Sequence, residues 1–584
     1  MPLQTNEMVL KGKPISRGIA IGKPFFLDRD EFNICEYSVA VHEIEREINR
    51  FRAALSRSKQ DIKRLQKQLE AESALEGIFI LDAQLEMLQD PVLTIDIENN
   101  IRKENKNVEF IFQKALLKFK KNFEALGDEF FTERYKDLMD ISRRIFNYLH
   151  ESGHFSLSHV PHHSIVCAQE LTASDTAEAT AISVGAFITE HGGVTSHATI
   201  VAKAKGIPYI TNVDLNALKS FADQTIIVDG RKGKIFINPR EETIKKYESL
   251  KQQMQNQTRN LELNTQWPAE TFDGFSIKLS ANLDMAHDVD LVRNLGGSGV
   301  GLFRSEYIFL PKKEIPSEEE QFRIYSSIVE KMGNMPVVIR TFDLGGDKAA
   351  LYYSFANDRS PFLGTRATRF LLKEQDLFKT QIRAILRANT KGTVSILFPM
   401  ISTLPELLEA KRLVYECQDE LGIKDRIRIG CMIEVPSAAL IADYFAMECD
   451  FLSIGTNDLI QYSLAIDRSD QTLCELYEPT EPSVIRLIKL IVDEANQKSI
   501  PVTVCGEIAS DPRFTSLLLG LGVQELSVTP RCLPLIKNSI RNSSIVDSVI
   551  LAEKALSLTT SQEVLQLISL EYQRNVPHDL FYNM

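Results

Sequence analysis

The stretch IRIGCMIEVPSAALIADYFAMECDFLSIGTNDLIQYSLAIDR, residues 427–468, contains one pattern twice. An apolar run, IRIGCMI, ends in Glu434. A helix-forming segment follows, and a second apolar run, FLSI, ends in a turn that carries Asn457 and Asp458. Short apolar runs alternating with helical segments read as buried parallel strands in β/α units. The pattern continues outward on both sides. FSIKLSANL, GVGLFRSE, PVVIRTFDLGGD and TVSILFPM precede the stretch, and PVTVCGE and ELSVTP follow it. Eight such units over residues 266–584 predict a (β/α)8 barrel, with an open doubly wound sheet as the alternative. The strand ends favour the barrel. Asn282, Arg304, Arg340, Glu434, Asn457, Asp458 and Cys505 all lie at or just past C-terminal strand ends. A barrel brings these ends to one mouth, whereas an open sheet spreads them along an edge.

The residue types at that mouth indicate its ligand. Arg304, Arg340, Lys348 and Arg366 follow or end strands, and Arg468 can join them. Arginine's planar fork matches pairs of carboxylate or phosphate oxygens, and lysine adds a point charge. So many cations at one mouth imply a strongly anionic ligand. Glu434 and Asp458 end neighbouring strands and suit Mg2+, which takes one or two carboxylates and completes its shell with water and substrate oxygens. The turn Leu344-Gly345-Gly346-Asp347 lets backbone approach a ligand closely. Cys505, beside Gly506 and Glu507, reads either as a small buried apolar residue or as a proton-transfer group.

The N-terminal half has a different organisation. Residues 8–27 are short apolar runs broken by Gly and Pro, and read as strands and turns. Strand-like runs return as SIVCA, GAFIT, IPYI, TIIVDG and GKIFI within 164–238. Between them, 40–152 read as helix throughout. Ile44, Ile48, Phe51, Leu55, Ile62, Leu65 and Leu69 form a stripe at helical spacing, interrupted by Ser58. A second helix stops at Asp90-Pro91, and two more cover 108–126 and 130–149. The predicted organisation is therefore an α/β domain (1–30 and 155–240) with an inserted helical bundle (31–154), a linker helix (241–265) and the barrel (266–584).

The α/β domain carries the second chemical motif, EHGGVTSHATIVAKAKG, residues 190–206. Gly192-Gly193 form a tight turn, Thr195 or Ser196 can cap a helix, and His197 falls in that helix's first turn. Backbone N–H groups there stabilise a transferred phosphate, and imidazole nitrogen is a competent nucleophile. A capping, core or metal-ligating histidine is the alternative, but His191 nearby finds no third ligand. A hydroxyl partner would fix the ring's tautomer, and Thr176 is the candidate.

Composition narrows the class. The 584 residues, 44% hydrophobic and 25% charged, describe a multidomain globular protein with large cores. A net charge of −12 argues against nucleic acid or an anionic membrane as the main partner. The eight cysteines are scattered without a CxxC pair, which argues against a disulfide framework or a zinc site and fits the cytoplasm. The N-terminal residues do not read as a signal peptide, and no segment reads as a membrane span.

Taken together, these motifs resemble the phosphoenolpyruvate-utilising enzymes. GGVTSHATIVAKAKGIP is similar to their phosphohistidine signature, and IEVPSAAL with DFLSIGTNDLIQYSLAIDR to their barrel signature. GLFRSEYIF, VIRTFDLGGDK, PFLGTRATR and VCGEIASD match in order. The overall layout and the opening LKGKPISRGIAIGKPF resemble Enzyme I of the bacterial phosphotransferase system. The resemblance implies that His197 takes a phosphoryl group from phosphoenolpyruvate with Thr176 in support. It implies that Arg304 and Arg340 bind the phosphate, and that Lys348, Arg366, Asn457 and Arg468 help hold the substrate. By the same resemblance Glu434 and Asp458 bind Mg2+, and Cys505 protonates the enolate to pyruvate. The bundle would dock the phosphocarrier HPr, and the barrel would form a homodimer. The linker helix would be the hinge by which His197 visits both sites.

Some positions depart from the resemblance. Val194 stands where arginine is common, and Ser360 and Thr365 replace Asn and Trp of the usual motif. In ILDAQLEMLQDP, Gln84 replaces a histidine and Glu86 adds charge, which directs attention to the carrier-facing surface. A dikinase or synthase of the same family would need an ATP-binding domain, and no GxxxxGK[ST] loop is present. A regulatory phosphorelay enzyme and an inactive scaffold are the remaining alternatives. Intact His197, Arg304, Arg340, Glu434, Asp458 and Cys505 oppose the scaffold.

Overall fold

The computed structural model describes residues 7–27, 34–71, 76–91, 93–126, 129–150, 157, 160–180, 183–193, 196–263, 265–308, 315–344, 363–467, 473 and 476–576. The chain divides into two compact units, Met1–Gln255 and Asn256–Met584.

The first unit opens with four short strands, β1 (Met8–Lys11), β2 (Lys13–Ser16), β3 (Ile19–Gly22) and β4 (Pro24–Phe26). Five helices then intervene: α1 (Ile44–Ala71), α2 (Glu76–Met87), α3 (Ile95–Glu104), α4 (Val108–Leu126) and α5 (Glu129–Leu149). The α/β pattern resumes with β5 (Ser164–Ala168), α6 (Ala173–Glu178), β6 (Val184–Thr189), α7 (His197–Ala204), β7 (Tyr209–Thr211), α8 (Asn216–Lys219), β8 (Ile226–Asp229) and β9 (Lys234–Ile237). A polar helix, α9 (Glu241–Leu263), follows. The helices are thus an insertion into one α/β domain. Strand β4 pairs directly with β5 in parallel, across the whole bundle.

Two sheets build that domain, in orders β2-β7-β6-β5-β4 and β1-β9-β8-β3. Alternation along β5 shows how both faces are covered. Ile165 and Cys167 pack with Ile226, Val228 and Ile235 of the four-stranded sheet. Val166 and Ala168 pack on the other side with Ala198 and Ala202 of α7.

The bundle buries the stripe read along α1, from Ile44 to Leu69. Ser58 is fully buried within it, and its hydroxyl has no hydrogen-bond partner among the described residues. Ala173, Ala177 and Val201 join the same core, so the bundle packs on the α6–α7 face of the α/β domain. Gly77 permits this approach, because a Cβ there would stand 2.9 Å from Leu69 and 3.0 Å from Val201. Helix α3 falls inside the stretch read as helical, but its separate bounds were not expected. Its polar sequence hides only Ile97 and Ile101, and Asn105 ends it in the left-handed region at φ 53°. Asparagine tolerates that conformation, which is a weak stop signal in sequence. Phe112 is the bundle's central aromatic, with ring centroids 5.8 Å from Phe51 and 5.3 Å from Phe146. Phe112→Ala is expected to cost about 3–5 kcal/mol. Calorimetry should show an earlier transition for the first unit, and an unchanged transition would contradict the assignment of this core.

The second unit is the closed barrel. Its parallel strands are β10 (Lys278–Leu283), β11 (Val300–Arg304), β12 (Val337–Arg340), β13 (Val394–Phe398), β14 (Arg428–Ile433), β15 (Phe451–Ile454), β16 (Val502–Val504) and β17 (Glu525–Val528). β17 pairs back onto β10, which closes the ring and excludes the open sheet. Most of the core lies between strands and outer helices. The lumen is filled by Leu302, Leu397, Met432, Phe451 and Cys505. Gly430 makes room there, since a Cβ would meet the Phe451 ring at 2.4 Å. No described helix is long and apolar enough to cross a membrane.

Candidate active site

In the first unit, β6 ends at Thr189 and the chain turns through Gly192, whose φ of 149° disfavours any side chain. Ser196 caps α7, its Oγ accepting from Thr199 N–H at 3.4 Å. The Thr199 hydroxyl in turn donates to the Gly193 carbonyl at 2.9 Å, which ties the turn to the helix. His197 is therefore the first residue of α7, and its side chain is 30% exposed. Val194 and Thr195 lie outside the described residues.

The partner found at the ring is a carboxylate. His197 Nδ1 lies 3.0 Å from Oδ1 of Asp137, a buried residue of α5 in the bundle. Thr176, the hydroxyl singled out from sequence, is fully buried in α6. It donates to the carbonyls of Thr172, at 3.3 Å, and Ala173, at 3.0 Å, as Thr and Ser often do within helices. Asp137 had no local signal: it is sixty residues from His197 and sits in an ordinary amphipathic helix.

Gln84 also has a different setting from the one its sequence context suggested. It is 1% exposed, so it is no part of an exposed carrier surface. Its Nε2 donates to Asp140 Oδ2 at 3.0 Å, and Ser174 N–H donates to the same oxygen at 3.3 Å. Asp140 lies one turn beyond Asp137 on α5. Burial pushes its carboxyl above the usual range, with Arg144 acting in the opposite sense. Glu86, by contrast, is exposed.

In the second unit the strand-end residues do meet at one mouth. Arg340, at the end of β12, is buried and pairs with Glu306 and, at 3.4 Å, with Asp343. Arg366 reaches Asp343 with Nε at 2.9 Å and Nη2 at 3.0 Å, Tyr462 Oη at 3.0 Å, and Asp458 at 3.4 Å. Arg304 pairs with Asp284 at 3.3 Å. Although burial opposes charge on Arg340 and Arg366, their carboxylate neighbours outweigh it and hold both guanidiniums firmly protonated. The mouth thus holds more carboxylates than the two read at strand ends, Glu434 and Asp458. Asp284, Glu306 and Asp343 interleave the arginines and fix their forks in place. Each follows its strand end by one to three residues, a recurrence that sequence reading could have used. A small cavity beside Arg366 is lined by Arg369, Met400, Val435 and Tyr462.

Glu434 follows β14 and is buried, with Oε1 accepting from Met400 N–H at 2.6 Å. Gly455 is required beside it, because a Cβ would stand 2.6 Å from Glu434 Oε2. Asp458 lies in the first turn of the helix Thr456–Leu464, and its Oδ1 is buried without a hydrogen-bond partner among the described residues. Burial first, then the charges of Asp458 and Asp343, push the Glu434 carboxyl up to about 8. Two buried carboxylates in mutual repulsion, one with an unsatisfied oxygen, fit a divalent cation. Among the described residues no group of three or more His, Cys, Asp or Glu forms a complete metal cage.

Asn457 bridges to the segment after β16, its Oδ1 accepting from Glu507 N–H at 3.0 Å. Cys505 directly follows that strand. Ser453 Oγ donates to its sulfur at 3.1 Å, and the thiol reaches the Ile454 carbonyl at 3.5 Å. Burial pushes the thiol up to about 11, so it holds its proton at neutral pH. Lys348, Arg468, the Gly345-Gly346 turn and Ser360 lie outside the described residues, and Thr365 accepts from Lys373 at 3.0 Å.

Three family models match in order along the chain. They are the N-terminal domain of PEP-utilising enzymes (residues 11–134), their mobile domain (160–233) and their PEP-binding domain (258–545). Phosphoenolpyruvate-protein phosphotransferase of Priestia megaterium is 36% identical over 564 residues, covering 96% of this chain and 98% of that protein. The protein of the same name from Bacillus subtilis (strain 168) is 36% identical over 570 residues, covering 96% and 99%. Among solved structures, an NMR solution structure of Enzyme I is 32% identical, covers 42% of this chain and 98% of that one, and has a TM-score of 0.36.

Proposed function

Because this chain belongs to the phosphoenolpyruvate-protein phosphotransferase family, we propose that it moves the phosphoryl group of phosphoenolpyruvate onto His197 and then to a histidine of HPr, releasing pyruvate. The observation that carries this reading is the barrel mouth, where Arg340 and Arg366 act on the buried carboxylates Glu434 and Asp458, and Arg304 ends a neighbouring strand.

In this reading the arginines bind the phosphate and carboxylate of the donor. Their counter-carboxylates hold them oriented in advance, so little reorganisation is needed as charge moves. Lys348, Asn457 and Arg468 complete the substrate contacts. Glu434 and Asp458 hold Mg2+, which supplies positive charge to the phosphoryl oxygens when bound. The nucleophilic nitrogen of His197 attacks phosphorus, and the electron pair of the breaking P–O bond stays on the enol oxygen. The Cys505 thiol then gives its proton to the methylene carbon, forming pyruvate, and the thiolate regains a proton from water. Thr176 backs His197 only through the packing of α6 on α7, because its hydroxyl is committed to the Thr172 and Ala173 carbonyls.

The second transfer calls for a carrier docked near His197, and the bundle is the part of the first unit that packs on α7. A homodimer through the barrel belongs to the same reading. Exposed Leu440, Tyr444 and Met447, on the helices after β14, support it. The reading also places the enzyme in the cytoplasm.

The test is direct. Purified protein with Mg2+ and 32P-phosphoenolpyruvate is expected to take up one phosphoryl group per chain as an acid-labile, base-stable phosphohistidine. Adding HPr should then move the label to the carrier. Absence of label on the protein would sink the reading, and label that HPr cannot discharge would remove the carrier half of it.

A further inference from the structure

The contact between α5 and α7 assigns a role to a residue that the catalytic motifs do not contain. Resting on the phosphohistidine reading above, we propose that Asp137 is the positioning residue of the nucleophile. Its carboxylate accepts the Nδ1 proton of His197, keeps Nε2 unprotonated as the atom that attacks phosphorus, and pairs with the charge that the ring gains.

Three observations carry this. The first is geometry: Nδ1 and Oδ1 are 3.0 Å apart, a length suited to a charge-assisted hydrogen bond. The second is burial. Asp137 is 4% exposed, and its Oδ2 has no hydrogen-bond partner among the described residues. A carboxylate in that state is costly unless a positive charge compensates it. The third is connectivity. The two residues come from different domains of the fold, so the contact exists only because Ala173, Ala177 and Val201 pack into the bundle core. The bundle then contributes to the nucleophile itself as well as to carrier docking.

The chemistry follows from the ring. The two nitrogens of imidazole are distinct, and the hydrogen bond made by one sets the role of the other. With the proton held on Nδ1 by Asp137, Nε2 is an acceptor. In the forward step Nε2 gives its electron pair to phosphorus, and the P–O bond to the enol oxygen breaks with its pair leaving on that oxygen. The ring keeps its Nδ1 proton and becomes cationic, and the carboxylate neutralises it at 3.0 Å. In the second step the N–P bond breaks and its electron pair returns to Nε2. The ring is then neutral again with its proton still on Nδ1. A hydroxyl such as Thr176 could set a tautomer but could not offset the charge.

Full-length Asp137→Asn and Asp137→Glu proteins test this. Asparagine is isosteric, but its amide can donate to Nδ1, which moves the ring proton to Nε2 and removes the nucleophilic lone pair. For Asp137→Asn we expect the initial rate of labelling from 32P-phosphoenolpyruvate to fall about 10- to 100-fold. Imidazole 15N shifts of His197, assigned with a His197→Gln protein, should show the neutral ring protonated on Nδ1 in the wild type. They should show it largely on Nε2 in Asp137→Asn. Asp137→Glu keeps a carboxylate and should recover part of the rate. An unchanged labelling rate in Asp137→Asn would overturn the inference. So would a slow Asp137→Asn whose tautomer matches the wild type, because that marks a purely structural contact. If the wild type takes no label, the phosphohistidine reading fails, and the tautomer measurement still reports on Asp137 separately.

Discussion

Replacing His197 with alanine is expected to abolish phosphoryl uptake altogether. His197 stands first in α7, behind the Ser196 cap, with 30% of its side chain open to a reaction partner. Removing the ring removes the atom that forms the N–P bond, and a neighbouring side chain cannot substitute for an in-line nucleophile placed on a helix start. The fold should survive, because Ala198, Val201 and Ala202 still anchor α7 and alanine is well tolerated at a first helical position. The variant should therefore show wild-type circular dichroism and no 32P label from phosphoenolpyruvate. It should also take no label back from phospho-HPr, since both half-reactions share the same nitrogen. Undiminished labelling would mean that the phosphoryl group resides elsewhere. Loss of only one half-reaction would mean that two acceptors exist.

Replacing Cys505 with alanine is expected to separate those half-reactions. The thiol sits in the barrel lumen at the end of β16, and burial pushes it up to about 11. It is therefore an acid at neutral pH and a poor nucleophile. Without it, carbon protonation must rely on water, and net turnover from phosphoenolpyruvate should fall about 10²- to 10⁴-fold. Exchange between His197 and phospho-HPr forms no carbon–hydrogen bond, so it should persist at near wild-type rate. The fold loss should be modest, about 1 kcal/mol, because the change removes one small group and one hydrogen bond from Ser453. The sign with pH is fixed by the same burial. The acid works while protonated, so its contribution is lost as pH rises through about 11, above the usual thiol range. Equal loss of turnover and exchange in Cys505→Ala would contradict the acid role, as would a turnover limb at the ordinary thiol position.

Local chemistry was the legible part of this protein. Apolar runs ending in Arg304, Arg340, Glu434 and Cys505 marked parallel strands, and the fold closes them into one ring. The stripe on α1 marked a packed helix, and the Gly192-Gly193 turn with Ser196 marked a helix start carrying His197. Each of these signals is carried by residues a few positions apart, where backbone geometry alone decides which side chains share a face. The separate bounds of helix α3 escaped because its two buried isoleucines are too few to make a stripe.

The partners of the functional side chains were a different matter. Arginines at strand ends could be read, and so could the carboxylates just past those ends, but which pairs with which could not, because a pairing such as Arg366 with Asp343 depends on how loops fold over the mouth. Gln84 looked like a surface change and is a buried bridge to Asp140, since helical spacing does not say which of two faces meets another domain. Asp137 is the sharpest case, a carboxylate sixty residues before the histidine it holds. Sequence by itself determined which residues can do chemistry, because reactivity belongs to side-chain type and to the local turn. Only tertiary structure decided what each is bonded to, because hydrogen bonds and ion pairs are made across packed surfaces between segments distant in the chain.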